Sequence, residues 1–331
     1  MRAVLVRQPG DASQLYIGEC PTPTPKDTQI LVKVKCFCLN RMDINQRQGA
    51  YPPPPGASEI LGVEVSGIVE SVGQSVTKFQ PGDAVFGLMG GGGYAEYAVM
   101  EQELAMPKPD ALSFQQAAAI PETWFTAYQA LFFVLGLKAG EDILIHAGAS
   151  GVGIAAIQLA KQAGANRIFV TAGSDEKTKF CESLGATRGI NYKTEDWAAV
   201  IAQETANKGV NATVDFVGKD YFDKNIATLA IDGRMVLLAF LSGAVLDGVN
   251  IAPLLKKRLR VEGSALRSRS LEYQTRLRDA IYKHVVEEHF AKPSESYKLF
   301  IDKEFDWKDI AEAHRTMESN QTMGKLVVKV T

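Results

Sequence analysis

The clearest hydrophobic pattern in the chain lies at residues 143–164, where an apolar run, a group of glycines and a helix-like repeat follow one another. Ile143–Ile145 is continuously apolar, which predicts a buried parallel strand. Glycine occupies three of the six positions 148–153, and apolar residues from 152 to 161 recur with helical spacing. A strand, a glycine-rich turn and a helix in this order can bind an anion. Glycine lets the backbone approach a pyrophosphate, and the N–H groups at the helix start point towards it.

The spacing of this turn is Gly-x-x-Gly-x-Gly rather than the strict Gly-x-Gly-x-x-Gly, with Ser150 where the common pattern can have glycine. Such a turn alone is also compatible with a turn that only starts a tightly packed helix. The flanking residues favour a nucleotide site, because strands and helices alternate from 141 to about 266. The predicted strands are 143–146, 168–171, 189–192, 212–217, 235–240 and 261–265, and the predicted helices are 152–164, 176–184, 196–205, 221–229 and 251–257. Six strands separated by helices predict a doubly wound α/β domain of the Rossmann type, in which Ser150, Gly151 and Val152 contact a dinucleotide.

Residues 1 to about 122 carry short β-branched runs that are separated by proline and glycine. The predicted strands are 3–6, 30–37, 63–72, 84–86 and 94–99. This pattern predicts a compact antiparallel barrel or sandwich with irregular loops. Gly90–Gly93 is interpreted either as a flexible hairpin loop or as a loop that passes close to a ligand.

Helical patterns return at 115–120 and 123–135, and again after residue 266. The last part of the chain predicts helices at 271–288 and 307–319 and strands at 300–305 and 324–330. These elements do not extend the alternation of the central region, so we expect them to complete the first domain. The predicted organisation is a β-rich domain of residues 1–122 completed by 267–331, and a nucleotide-binding domain of residues 123–266.

Composition and charge narrow the class of protein. The 331 residues are enough for two ordinary domains, and 46% hydrophobic with 22% charged residues is typical of soluble globular proteins. A net charge of −2 argues against nucleic-acid or membrane-surface partners. No apolar run approaches the roughly 20 residues that span a bilayer, and the strand-like start suggests no signal peptide. The four scattered cysteines, of which Cys36 and Cys38 have no second pair to complete a zinc site, are expected to be reduced thiols in the cytoplasm.

The residues after the second predicted strand bear on the choice between NADPH and NADH. NAD-specific domains have an acidic residue there that holds the ribose 2′-hydroxyl. Here Gly173 and Ser174 leave room for a 2′-phosphate, to which Ser174 and Tyr192 could donate and whose charge Lys177 could neutralise. This favours NADPH. Two alternatives stay open, in which Asp175 turns inward to hold a ribose hydroxyl or Lys177 is only a solvated helix charge.

A series of short motifs resembles one known family in order and over nearly the whole chain. The motifs are Asn40-Arg-Met-Asp43, Tyr51-Pro-Pro-Pro-Pro-Gly56, Leu61-Gly-Val-Glu64 with Gly67, Gly82-Asp83, Gly91-Gly-Gly-Tyr-Ala-Glu96, Ala117-Ala-Ala-Ile-Pro121, the turn from His146 to Gly153, Asn191-Tyr192 and Gly324-Lys325. They resemble the quinone oxidoreductase branch of the medium-chain dehydrogenases/reductases. The resemblance implies a GroES-like catalytic domain, a Rossmann domain, an active-site cleft between them, and a homodimer usually joined edge to edge through its Rossmann sheets.

The zinc alcohol dehydrogenases share this fold, so the branch must be decided from particular residues. Their catalytic zinc needs a Cys ligand where this chain has Asn40, and a His ligand where it has Val63. Their four-Cys structural lobe has no counterpart, because no Cys lies between Tyr94 and Thr123. Without thiolate and imidazole ligands a tetrahedral zinc site cannot be assembled, so we predict no metal.

The remaining chemistry is hydride transfer from NADPH to an acceptor that is already electrophilic, either a quinone or an α,β-unsaturated carbonyl. The resemblance places Asn40, Asp43, Tyr51 and Arg267 around the nicotinamide and the substrate. Tyr51 could donate to a quinone oxygen or be only an ordered loop residue, and Asn40 could fix the nicotinamide or only cap a loop. Asp43 could act indirectly, paired with Arg267, and Arg267 could bind phosphate, bind substrate or lie on the surface.

Further assignments follow from the same resemblance. Thr126, Phe240, Leu241 and Leu266 would line the nicotinamide, and Asn320 would reach the ribose or the carboxamide. His146 is interpreted as a buried strand residue rather than a base, and His284, His289 and His314 as structural or exposed. An alternative from another class is an NADPH-binding protein with little turnover, since some relatives of this fold serve structural or sensing roles.

Overall fold

The computed structural model describes residues 1–292 and 296–331. The chain divides into two compact units, Met1–Phe125 with Arg267–Thr331, and Thr126–Leu266. The strands of the described residues, in chain order, are β1 (Arg2–Val6), β2 (Leu15–Glu19), β3 (Gln29–Cys38), β4 (Glu64–Val72), β5 (Ala84–Leu88), β6 (Tyr97–Glu101), β7 (Ala105–Pro107), β8 (Asp142–Ile145), β9 (Arg167–Ala172), β10 (Arg188–Asn191), β11 (Val210–Asp215), β12 (Leu229–Leu237), β13 (Arg260–Gly263), β14 (Ile301–Asp306) and β15 (Lys325–Lys329).

The helices alternate with the strands mainly in the second unit. They are α1 (Arg41–Arg47), α2 (Phe114–Ala118), α3 (Pro121–Tyr128), α4 (Gly151–Gln162), α5 (Asp175–Leu184), α6 (Trp197–Glu204), α7 (Phe222–Thr228), α8 (Ala252–Lys256), α9 (Leu271–Ile281) and α10 (Ile310–Glu318). Two π-helical segments, Gln129–Val134 and Tyr282–Phe290, continue α3 and α9. Short 3₁₀ turns lie at Ala12–Gln14, Lys219–Tyr221 and Trp307–Asp309.

The first unit is built on a seven-stranded sheet in the order β14-β15-β3-β4-β5-β7, with β6 pairing the other part of β3. All these pairings are antiparallel except β14 with β15. The last strand, β15, lies beside β3 with Val327 opposite Cys38, so the C-terminal residues belong to this sheet. Its core centres on large buried side chains such as Phe37, Tyr94 and Trp307.

The second unit has a six-stranded, wholly parallel sheet in the order β10-β9-β8-β11-β12-β13. Numbered from β8 within the unit, this is the order 3-2-1-4-5-6 of the doubly wound dinucleotide-binding fold. All four residues of β8 are buried, as expected for a central parallel strand. The predicted α/β fold class, with a β-rich unit and a six-stranded Rossmann unit, is confirmed.

Several predicted boundaries were wrong, and the residues show why. Strand β12 was predicted to reach residue 240 but ends at Leu237, because the chain turns to return at Gly243, whose N–H donates to the Phe240 carbonyl at 3.0 Å. Helix α1 and strands β2 and β7 were not predicted, since each is short and offers little periodicity. Strand β6 begins at Tyr97 instead of Tyr94, whose N–H donates to the Leu61 carbonyl in a loop contact.

The cysteines carry no disulfide: Cys36, Cys38 and Cys181 are buried thiols and Cys20 is half-buried. Burial raises the pKa of Cys36 and of Cys181 to about 12, and that of Cys38 well above its ordinary value, so these thiols are protonated at neutral pH. Within the described part of the chain, no helix is long and apolar enough to cross a lipid bilayer.

Candidate functional site

The glycine-rich turn joins β8 to α4 in the second unit, as predicted. Ser150 is the N-cap of α4, and its hydroxyl accepts a hydrogen bond from the N–H of Gly153 at 3.1 Å. The N–H groups of Gly151 and Val152 lie in the first helical turn, where backbone donors have no carbonyl partner inside the helix. The turn therefore presents N–H groups and the positive end of the helix dipole to an anion.

Close packing explains why a glycine stands at position 148. A Cβ atom there would lie 2.9 Å from the Val170 Cβ and 3.0 Å from the Cys181 sulfur. The turn therefore packs closely against β9 and α5. The neighbouring Ala147 adopts a left-handed conformation, with φ of 50°. A larger residue at 148 would lift the turn away from β9.

The residues proposed for the 2′-phosphate come together at the ends of β9 and β10. Ser174 caps α5 by accepting from the N–H of Lys177 at 3.3 Å. A Cβ at Gly173 would lie 2.9 Å from the Tyr192 hydroxyl oxygen, so the Tyr192 side chain lies directly over Gly173. The group thus offers two hydroxyls and a helix start, with the Lys177 side chain on the same turn.

The Asp175 carboxylate is bonded to another side chain of the second unit. It accepts a hydrogen bond from the Asn191 side-chain amide at 2.7 Å, which ties the start of α5 to the end of β10. Oδ1 of Asp175 is therefore engaged by Asn191 at the start of α5, next to Gly173 and Ser174.

The residues predicted to line the nicotinamide lie on several elements of the second unit. Phe240 and Leu241 are 54% and 58% exposed and lie in the turn after β12, while Leu266 follows β13 and is half-buried. Thr126 is half-buried on α3. The carboxyl ends of parallel strands share one edge of the sheet, so Phe240, Leu241 and Leu266 lie along the same edge as the glycine-rich turn.

In the first unit, Asn40 begins α1 and belongs to a buried polar cluster. Its side-chain N–H donates to Glu64 Oε1 at 2.8 Å, and its oxygen accepts from the Lys325 ammonium at 2.8 Å. Lys325 also donates to Glu64 Oε1 at 2.6 Å. Burial alone would lower the pKa of Lys325, but the Glu64 charge offsets this and the pKa is raised. Both ends of the Asn40 amide are therefore bonded within the protein.

The same cluster does not fit a zinc ion. Asn40 and Val63 offer an amide and an alkyl group where a zinc site needs thiolate and imidazole, and the Lys325 ammonium at 2.8 Å would repel a second cation. Within residues 1–292 and 296–331, no three His, Cys, Asp or Glu side chains are grouped to hold a metal ion.

Glu122 borders this cluster and was not among the residues that the sequence singled out. Its backbone N–H donates to Glu64 Oε2 at 2.7 Å, which places it beside the buried cluster. Burial and the nearby Glu64 charge raise the pKa of the Glu122 carboxyl to about 7, so it can take up and release a proton near neutral pH. The only sequence signal was an acidic residue next to the apolar run that ends at Pro121.

Asp43 is buried one turn into α1 and accepts three hydrogen bonds. Its Oδ2 accepts from the Asn40 N–H at 2.8 Å and the Tyr94 hydroxyl at 3.1 Å, and its Oδ1 accepts from the Gly62 N–H at 3.3 Å. Burial raises the pKa of Asp43 to about 6, although the hydrogen bonds from Asn40 and Tyr94 oppose the rise. The suggested pairing of Asp43 with Arg267 is limited to a charge interaction, because the Arg267 hydrogen bonds go to other groups.

Arg267 instead fixes the loops around Tyr51. It donates to the Gly90 carbonyl from Nε at 2.9 Å and from Nη2 at 2.6 Å, and to Gln46 Oε1 at 3.0 Å. Its guanidinium carbon lies 5.7 Å from the centre of the Tyr51 ring, a cation–π contact. The half-buried Tyr51 is therefore held between α1 and the Gly90 loop.

The glycine stretch 90–93 is joined by backbone hydrogen bonds to residues 60 and 62. The N–H of Gly92 donates to the Ile60 carbonyl at 2.8 Å, and the N–H of Gly93 to the Gly62 carbonyl at 3.0 Å.

Asn320 lies just after α10 with φ of 57°, and its side-chain oxygen accepts from Arg41 at 2.5 Å. The structure therefore connects Asn320 to the first residue of α1.

The histidines divide into two kinds. His146 is fully buried after β8, bonded to Thr171 at 2.9 Å and Asn225 at 2.7 Å, and burial lowers its pKa to about 4. It is a neutral core residue, as interpreted from the sequence. His284 is exposed, whereas His314 is fully buried and joins a network that the sequence did not reveal.

Two protein families match separate parts of this chain, and a known relative matches nearly all of it. Residues 26–110 match the family described as the alcohol dehydrogenase GroES-like domain, and residues 151–281 match the family described as zinc-binding dehydrogenase. The quinone oxidoreductase of Rattus norvegicus is 30% identical over 331 residues, which cover 99% of this chain and 97% of the rat protein.

Solved structures resemble the chain over its whole length. An Escherichia coli quinone oxidoreductase complexed with NADPH is 30% identical with a TM-score of 0.88, covering 100% of both chains. An NAD-dependent alcohol dehydrogenase is 31% identical with a TM-score of 0.85, again covering 100% of both chains. The CurK enoyl reductase is 26% identical with a TM-score of 0.83, covering 100% of this chain and 99% of its own.

Proposed function

The chain belongs to the quinone oxidoreductase family of the medium-chain dehydrogenases/reductases, and from this premise we propose that it transfers a hydride from NADPH to a quinone. The observation that carries the proposal is the bonding of Asn40 to Glu64 and Lys325. An amide held by an ammonium does not provide a zinc ligand at this position, which supports transfer to an acceptor that is electrophilic without a metal. A quinone meets that requirement.

The preference for NADPH rests on Ser174, Tyr192 and Lys177 around Gly173, together with the engagement of Asp175 by Asn191. Two hydroxyls and a lysine in the first turn of α5 suit a phosphate dianion better than a pair of ribose hydroxyls. The pyrophosphate would be held by the N–H groups at the start of α4, with Ser150, Gly151 and Val152.

When bound, the reduced nicotinamide supplies a hydride and the quinone takes up one proton, giving the hydroquinone. Tyr51 is proposed to donate a hydrogen bond to the quinone oxygen on which negative charge develops, and Arg267 holds the Tyr51 ring in place. Asn40 is proposed to orient the nicotinamide. Glu122, with a pKa of about 7, is a candidate to hold the proton that the product needs.

A second candidate function is the reduction of α,β-unsaturated carbonyls. The likeness to the CurK enoyl reductase favours it, and hydride addition to such an acceptor makes the same demand for a hydrogen bond at the carbonyl oxygen. An NADPH-binding protein with little turnover is the third possibility.

The testing experiment is the initial rate of NADPH oxidation with 1,4-benzoquinone and with 9,10-phenanthrenequinone, run beside NADH and with a metal chelator. We expect a chelator-insensitive rate that prefers NADPH. Turnover of an enal but not of quinones would replace the leading proposal by the second. Saturable NADPH binding without turnover of either would favour the third.

We also propose a homodimer formed through the second unit. Strand β13 lies at the edge of the six-stranded sheet, and the nearby Ile251 and Leu255 are 68% and 84% exposed. An open strand edge beside exposed apolar side chains is a typical association surface. Light scattering after size-exclusion chromatography should give twice the 36.0 kDa chain mass, and Leu255→Glu should give the monomer.

A further inference from the structure

A hydrogen-bonded chain of buried side chains in the first unit starts on α1 at Arg47, passes through His314 on α10 and returns to α1 at the Asp43 carboxylate. Its members are Arg47, His314, Tyr94 and Asp43, each at most 1% exposed. Arg47 Nη1 lies 3.1 Å from His314 Nδ1, and His314 Nε2 lies 3.3 Å from the Tyr94 hydroxyl. That hydroxyl in turn lies 3.1 Å from Asp43 Oδ2.

The hydrogen bonds of this chain all run in one direction. Arg47 can only donate, so His314 Nδ1 must accept and the ring proton must lie on Nε2. The ring is neutral, because burial first and the Arg47 charge second lower the pKa of His314 to about 3. The Nε2 proton is then donated to the Tyr94 oxygen, which leaves the Tyr94 proton for Asp43.

The chain is anchored at both ends. Arg47 also donates to the Gly10 carbonyl at 3.0 Å and forms an ion pair with Glu318 on α10. The Tyr94 ring is stacked on Phe37, with centroids 4.2 Å apart. Asp43 accepts from the backbone N–H of Asn40, so its orientation sets the start of α1.

We propose that His314 is a positioning residue for the hydride transfer, acting through Tyr94 to hold Asp43 and the Asn40 helix start in the orientation that the reaction needs. The inference rests on the proposed function, since Asn40 is there assigned to the nicotinamide. It adds His314, Tyr94 and Arg47, which lie behind Asp43, to the residues on which turnover depends.

Other charged or titratable groups also act on Asp43 and must stay unchanged in a test. They are Lys325 on β15, Glu64 on β4, Cys38 on β3, Glu122 on α3 and Arg267 after β13. None of them is a member of the hydrogen-bonded chain. Removing the Tyr94 hydroxyl therefore changes one donor to Asp43 while leaving these groups in place.

The test compares Tyr94→Phe, His314→Leu and His314→Gln with the wild type. Tyr94→Phe keeps the ring on Phe37 and removes the hydroxyl that donates to Asp43 and accepts from His314. His314→Gln keeps a side-chain N–H as a donor for the Tyr94 oxygen. Tyr16→Phe, in β2, is the matched control, because it removes a hydroxyl from a tyrosine that is not a member of the hydrogen-bonded chain. The pKa of Asp43 is followed by NMR of 13C-carboxyl-labelled aspartate, with Asp43→Asn identifying the signal.

We expect Tyr94→Phe and His314→Leu to raise the pKa of Asp43 further and to lower kcat with the accepted quinone about tenfold. The Kd for NADPH should change less than about twofold, and His314→Gln and Tyr16→Phe should stay close to the wild type. A lower melting temperature with an unchanged Asp43 pKa and an unchanged kcat would overturn the inference. The hydrogen-bonded chain would then contribute to stability and not to turnover.

Two further outcomes are distinguishable from each other. A raised Asp43 pKa with unchanged kcat in an active protein would overturn the positioning role alone. A wild type that turns over no acceptor would overturn the proposed function, and with it the role of His314 in that reaction.

Discussion

The Lys325 ammonium and the Glu64 carboxylate lie 2.6 Å apart as an ion pair whose side chains are 7% and 0% exposed. The pair joins β15 to β4 and takes in the Asn40 side chain. A buried charge is tolerated when it is paired and hydrogen-bonded. Removing either partner would therefore leave the other as an uncompensated buried charge.

Lys325→Met should therefore destabilise the protein strongly. Glu64 would be left as a buried, unpaired charge, and we expect a loss of roughly 3–5 kcal/mol in the free energy of unfolding measured in urea. Adding Glu64→Gln should recover part of that loss. Arg258→Met breaks the exposed pair with Asp232 and should cost far less, because water and salt screen that pair. Equal losses from Lys325→Met and Arg258→Met would contradict the prediction.

Gly62→Ala tests the close approach that positions Asp43. A Cβ at Gly62 would lie 2.4 Å from Tyr94 Cδ1, and φ there is +94°. Gly82 has nearly the same φ, +96°, but open space around the position of a Cβ. Gly82→Ala should cost only about 1–2 kcal/mol from the backbone, whereas Gly62→Ala should cost roughly 2–3 kcal/mol more in urea unfolding. Similar losses would mean that Tyr94 moves aside easily.

Lys177→Ala should reduce the preference for NADPH over NADH. Loss of an ammonium near the proposed phosphate position should raise the Kd for NADPH about tenfold and leave that for NADH nearly unchanged, as measured by titration of cofactor fluorescence. Lys179→Ala, on the exposed face of the same helix, is the control. Parallel weakening of both cofactors would place Lys177 outside the phosphate site.

Tyr51→Phe should lower kcat with benzoquinone by about 10- to 100-fold, because a donor to the developing oxyanion is lost. The Kd for NADPH should be little changed. Tyr273→Phe is a close control, since Tyr273 also carries an arginine, Arg269, over its ring at 4.7 Å. If Tyr51→Phe retains full kcat, the hydroxyl takes no part in the reaction.

Glu122→Gln should change the pH dependence of stability. The pKa of Glu122 is raised in the folded protein to about 7, so folding favours its protonated form, and that stability is lost as pH rises through 7. The stability of the wild type relative to Glu122→Gln should therefore fall by roughly 2 kcal/mol between pH 5 and pH 8. Glu70→Gln on the exposed side of β4 should show no such trend. The check is the free energy of unfolding in urea, measured for each variant at pH 5 and at pH 8.

The sequence predicted the parts of the molecule whose interactions are local. The turn at 148–153 and the alternation of strands and helices depend on neighbours within a few residues, so their types were predicted correctly. The end of β12 was predicted wrongly because the residues after it bond to distant parts of the chain: the N–H of Leu241 donates to the Phe216 carbonyl at 3.1 Å, and that of Ser242 to the Val217 carbonyl at 2.9 Å.

The polar interior of the first unit was beyond sequence reasoning for a different reason. Lys325 meets Glu64 across 261 positions of the chain, and His314 meets Tyr94 across 220. Nothing near His314 in the sequence distinguishes it from His284, which is exposed on its helix. Only the tertiary fold shows which of the two is buried.

The sheet of the first unit takes one of its inner strands from the C-terminal end of the chain. During synthesis, Glu64 and Asn40 leave the ribosome long before Lys325 exists to neutralise and bond them. The second unit, Thr126–Leu266, has by then been completed. The order of synthesis therefore lets the nucleotide-binding unit fold first, while the sheet that begins the chain closes only when β15 arrives.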